Sequence, residues 1–156
     1  MQRCVLLRIV IDYDELCKLP LGYGVGPLVA NMLRDLAMWL ISELVHEGEW
    51  HVKKFEAREG KDIIELVHCG LGEQFPSLVL EKATHIIDKH METYEDIADI
   101  LVEDAKRQLN QLLEKLEWTS PEVNAEGQIA KTCLQYNNAR IMCLEAREIL
   151  VAGQVL

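Results

Sequence analysis

Cations are scarce in this chain: across 156 residues, 16 Lys and Arg stand against 26 Asp and Glu, a formal net charge of -10. That balance repels phosphate backbones and anionic lipid, so it argues against nucleic-acid binding and suits a basic protein partner. Paired cysteine motifs are missing too. Cys4, Cys17, Cys69, Cys133 and Cys143 are odd in number and never spaced Cys-x-x-Cys, which points to neither a disulfide framework nor a zinc knuckle. A reducing cytoplasm is the location this usage suggests. No apolar run is clean enough to span a bilayer, because Arg34, Asp35 and Glu43 interrupt the longest one, Leu28 to Val45. Arg8 breaks the N-terminal run, and no small-residue cleavage site follows it, so a signal peptide is not expected. Repeats, low-complexity tracts and Pro/Gly/Ser linkers are absent from the sequence, which leaves a single domain, residues 1–156.

What is present is enough apolar material, 49% of the residues, to build a core without staples. Val5, Leu7, Ile9 and Ile11 alternate with Leu6, Arg8 and Val10, the period-two pattern of a strand with one fully apolar face. A glycine-bearing loop, Leu21 to Gly26, leads to Pro27, well placed at a helix start, and that helix should reach His46 before Gly48 stops it. Trp50–Ala57 and Ile63–Cys69 read as strands of a hairpin around Glu59-Gly60-Lys61-Asp62. A second helix is expected from Pro76 to about Met91. A third follows from a Thr93/Asp96 capping signal to about Trp118, and a last one from Ser120-Pro121-Glu122 to about Gly153. The fold expected is α+β. A β-α-β-β-α unit with a small three-stranded sheet, in ferredoxin-like element order without its last strand, occupies residues 1–91. A long C-terminal helical hairpin occupies residues 92–156.

Chemistry-bearing motifs are weak. Gly22, Gly24 and Gly26 precede a helix N-terminus, but Pro27 stands where a third fingerprint glycine would fall, and no Gly-Lys-Ser/Thr follows. Glu81, His85, Asp88 and Glu92 share one face of the second helix and could in principle hold a metal. That face lies opposite the apolar stripe, however, so solvent is its natural neighbour and no metal is expected. His90 lies on the apolar side, as a core histidine would. His68 and Cys69 are adjacent on a strand and point to opposite faces, so they form no nucleophile pair. Lys53, Lys54, Arg58 and Lys61 make the hairpin basic, yet the helix before it is too apolar to read base edges.

The third helix is the acidic feature. Asp96, Asp99, Glu103, Glu114 and Glu117 share the face away from its leucine stripe and are the candidate partner-binding residues. No catalytic residue and no cofactor is assigned. The reading is a non-catalytic protein-protein interaction or regulatory module, homodimeric through helix surfaces, with an acidic face for a basic protein. One form it could take is a small inhibitor occupying a partner's nucleic-acid-binding groove. The rival reading is a small enzyme or ligand-binding protein with a pocket between sheet and helices, using Tyr23, His68, His85 or His90.

Overall fold

The computed structural model describes residues 2–22, 24–70, 75–98 and 101–152. The chain begins with strand β1 (Gln2–Asp12), a single helical turn α1 (Tyr13–Leu16) and the long helix α2 (Val25–His46). Gly48, at φ 93°, ends α2 in the left-handed region that suits glycine. Strands β2 (Trp50–Arg58) and β3 (Lys61–His68) form a hairpin whose two-residue turn, Glu59-Gly60, has positive φ at both positions, the backbone of a type I′ turn. Helix α3 (Pro76–Met91) starts on its proline. To this point the order of the long elements is the expected one, with the short turn α1 added after β1.

Beyond it the expectation fails. The third helix is split into α4 (Thr93–Ala98) and α5 (Glu103–Lys115), with Leu101 and Val102 non-helical between them. The last helix does not exist. Residues 117–151 form β4 (Glu117–Trp118), β5 (Glu122–Val123), β6 (Ile129–Tyr136) and β7 (Ala139–Val151). The sheet therefore has seven antiparallel strands, in the order β2-β3-β1-β7-β6-β4 with β5 also on β6, rather than three strands followed by a helical hairpin.

The physical reason lies in β1. With β3 on one edge only, the central strand would leave a row of buried backbone donors and acceptors unmatched, and β7 supplies their partners from Gln2↔Val151 to Ile11↔Met142. The run β2-β3-β1-β7 has the strand order of a complete ferredoxin-like unit, so β7 is the fourth strand that was thought to be missing. It arrives after the insertion of α4, α5 and β4–β6.

Helices cover one side of this sheet. Leu7, Ile9 and Ile11 of β1, Ile64 and Leu66 of β3, and Leu144 and Ala146 of β7 pack in one core with Leu33, Leu36 and Leu40 of α2 and with Val79, Ala83 and Ile87 of α3. Leu109 and Leu112 of α5 are buried there too. The leucine stripe of the expected third helix, one of the helix surfaces through which a homodimer was expected to form, is thus covered within one chain. That ground for a dimer is withdrawn.

Candidate interaction surface

Successive residues of a strand point to opposite faces, so every second residue of β1, β3, β6 and β7 faces away from the helices. On an antiparallel sheet with one solvated face those positions are normally polar. Here many are not. Leu6, Val10, Ile63, Val67, Ile129 and Ile149 are half-buried, and none of them belongs to the core or packs against it.

Between these aliphatics runs a row of charges. Lys54 of β2 is the cross-strand partner of Glu65, Glu65 of Arg8, Arg8 of Glu145, and Glu145 of Lys131. Direct neighbours on one face have Cβ atoms about 5 Å apart, close enough to pair. Arg8 donates from Nε to Glu65 at 2.9 Å, and its Nη2 lies 2.8 Å from the same carboxylate. Glu145 accepts from Arg147 at 2.9 Å, and Lys54 lies 2.9 Å from Glu56. The carboxyl of Glu56 is held below the usual carboxylate range by hydrogen bonds, first from Lys54 and then from Arg58. Cations (Arg8, Lys54, Arg58, Lys131 and Arg147) thus alternate with anions (Glu56, Glu65, Glu122 and Glu145) on one face of a strongly acidic protein.

Both disulfides lie on this same face, and they correct the expectation of unpaired thiols. Cys4–Cys69 joins the ends of β1 and β3, and Cys133–Cys143 joins β6 to β7, with Cα atoms 4.4 and 4.0 Å apart. Their spacing in sequence, 65 and 10 residues, carries no motif. Only the strand register brings them opposite each other. Cys17 is free and exposed.

The acidic residues expected to share one helix face are dispersed. Asp96 is exposed on α4, Glu103 and Glu114 are exposed on α5, and Glu117 is exposed in β4. Asp99 lies outside the described residues. Only Glu103 and Glu114, eleven residues apart on one helix, keep a common side.

Glu81, His85, Asp88 and Glu92 are all exposed along α3, and Asp88 accepts a hydrogen bond of 2.8 Å from the Trp118 indole. His90 stacks on Trp39 at 4.9 Å and sits 2.6 Å from Glu43. His68 is buried beside Trp50, accepts from the Gly70 amide at Nδ1, and presents Nε2 to Glu49 at 3.3 Å. Cys69 is bound in its disulfide, so the His68-Cys69 pair has no nucleophile to offer. The glycine loop is tied down by the Gly22 amide, which donates to Gln108 at 2.6 Å, and Gly24 caps α2 with φ 87°. In the basic hairpin, Arg58 and Lys54 pair with Glu56, and Lys61 lies 3.8 Å from Asp12.

A cavity of about 480 Å³ lies between α3 and the β4/β6 edge, walled by Leu80, Trp118 and Pro121 and edged by Glu81, Thr84 and Thr132. It stands between sheet and helix, where the rival reading placed a pocket. None of His68, His85 and His90 lines it, however, and Tyr23 lies outside the described residues. Two of its hydroxyls serve the backbone: Thr132 donates to the Thr119 carbonyl at 2.6 Å, and Thr119 Oγ1 accepts from the Cys133 amide at 2.9 Å.

No protein-family model matches the chain, and no curated protein or solved structure is found to match it. Among the described residues no helix is long and apolar enough to cross a membrane.

Proposed function

We propose that this protein is a non-catalytic interaction module whose contact surface is the helix-free face of the sheet. One observation carries the reading: the outward positions of the central strands are occupied by Leu6, Val10, Ile63 and Val67, where a solvated face would place polar side chains. Each is only half covered by its neighbours, so a docked surface would gain about 1 kcal/mol per side chain from completing the burial. The charged row between them gives such a surface register and selectivity more than strength.

The two disulfides bear on location. Cystines persist in oxidising compartments, so this pattern favours a protein exposed to such an environment over the reducing cytoplasm that the scattered thiols suggested.

The test is substitution of the face against substitution of the acidic helix. Leu6→Lys with Val67→Lys should abolish association in concentrated extract of the native host, read as a loss of the high-mass fraction on gel filtration. Glu103→Lys with Glu114→Lys should leave it unchanged. The reverse pattern, in variants that melt cooperatively, would overturn the assignment in favour of the acidic residues.

A further inference from the structure

Resting on the assignment of the helix-free face as the contact surface, we propose that its occupant is a second copy of this chain. The copies dock sheet to sheet across a two-fold axis that runs along the strands between β1 and β3.

The argument starts from charge. Along Lys54, Glu65, Arg8, Glu145 and Lys131 the sign alternates from β2 to β6. A chain of net charge -10 repels its own copies, so they can meet closely only where the local charge is near neutral. This face, where cations and anions nearly balance, meets that requirement.

The alternation also selects the axis. A two-fold axis parallel to the strands reverses their order in the facing sheet and keeps each row at its own height. If the axis ran through a strand, every charge would face its like: Glu65 would meet the partner's Glu145, and Arg8 the partner's Arg8. Between β1 and β3 the pairing is complementary. Glu65 then faces the partner's Arg8, and Lys54 faces the partner's Glu145, each contact occurring twice.

The flanking rows agree with this choice. Ile63 meets the partner's Val10 and Val67 meets the partner's Leu6, aliphatic on aliphatic on both sides of the ions. An axis between β1 and β7 would also match charges, but it would press Leu6 against the partner's Arg147. The four strands that overlap about this axis, β2, β3, β1 and β7, at about 4.8 Å spacing and over about seven residues each, offer a plane of roughly 440 Å² before side-chain relief, about half of the ~800 Å² that each partner contributes to a standard interface.

The experiment is sedimentation equilibrium on the purified, oxidised protein, with Lys54→Glu and Glu145→Lys measured singly and mixed. The wild type should show the mass of two chains at about 100 µM. Each variant alone sets like charges opposite each other and should weaken association by about tenfold or more. An equimolar mixture restores both pairs in a heterodimer and should recover most of the lost affinity.

A wild-type mass of one chain would overturn the self-docking while leaving the face open to a different protein. Should the wild type dimerise but Lys54→Glu have no effect, the β1/β3 axis is wrong. If either variant fails to melt cooperatively, Arg147→Ala gives a second arm: it should leave the proposed dimer within about threefold of wild type, whereas an interface centred on β7 would weaken clearly.

Discussion

Glu43 joins two helices through one carboxylate. It accepts from Lys89 at 2.7 Å and lies 2.6 Å from His90, whose ring rests on Trp39. The Lys89 hydrogen bond, with His90 adding to it, holds the Glu43 carboxyl below the usual carboxylate range. A group with a depressed folded pKa stabilises above its unfolded value, near 4.3, and the contribution is lost as pH falls through the folded value. Glu43→Gln should therefore lower the melting temperature at pH 7 by one or two degrees, the effect of about 0.5 kcal/mol for a partly exposed pair, and the difference should begin to shrink near pH 4 and disappear once pH has fallen through the depressed folded value. A gap unchanged at low pH would show that the pairing is not what Glu43 contributes.

The neighbouring Tyr94 behaves in the opposite sense. Burial, reinforced by the 2.5 Å hydrogen bond it donates to Asp35, pushes its hydroxyl well above the usual tyrosine range. The stability it confers is complete below about pH 10 and is lost as pH rises through the folded value. Tyr94→Phe should cost about 1 kcal/mol at pH 7, with the gap to wild type narrowing above pH 10 in urea titrations.

At the level of the element, the two cystines staple strand pairs. By loop-closure entropy, Cys4–Cys69 contributes about 4 kcal/mol and Cys133–Cys143 about 3 kcal/mol. Cys4→Ser with Cys69→Ser should therefore lower the melting temperature by roughly ten degrees. Protein denatured without reductant should show the single thiol of Cys17. Five thiols, with no loss of stability in the double variant, would contradict the pairing.

The basic hairpin takes on an elemental role as well. Strand β2 is a sheet edge, and its register shifts between Val52 and Lys54. A bulge with lysines beside it is a standard defence against edge-to-edge pairing, and Val52 and Phe55 are exposed there. The long elements up to Met91 were legible because they carry clear end signals: Pro27 lies in the first turn of α2, Gly48 follows its end, and Glu59-Gly60 closes the hairpin. Ile129, Leu134, Ile141, Leu144 and Ile149 fit helical spacing, yet Ala130, Thr132 and Leu134, like Met142, Leu144 and Ala146, alternate toward the core. The two-residue turn Asn137-Asn138, with Asn137 at φ 52°, was the local signal for strands. The decisive cause was tertiary, the unpaired edge of β1. The alternation of β1 already showed Leu6, Arg8 and Val10 on a second face. The charged row and the cystines could not be read, because they exist only once strands distant in the chain are set in register.

For the molecule as a whole, these observations describe a half-sandwich. Helices α2 and α3 close one side of the sheet, and on the other side aliphatic side chains and a nearly neutral lattice of ions stand without a covering layer among the described residues. The acidic surplus lies elsewhere, so the protein as a whole repels its copies while this face does not. The most direct measurement of whether the face is a contact surface is thiol protection. In a Cys17→Ser background, a cysteine placed at Val67 is compared with one at Met38, which is 53% exposed on α2. Maleimide labelling, followed as protein is diluted from concentrated extract, should be slow at Val67→Cys and accelerate on dilution, with Met38→Cys fast throughout. Equal and concentration-independent rates at the two positions would show that the helix-free face stays open to solvent and would contradict the account.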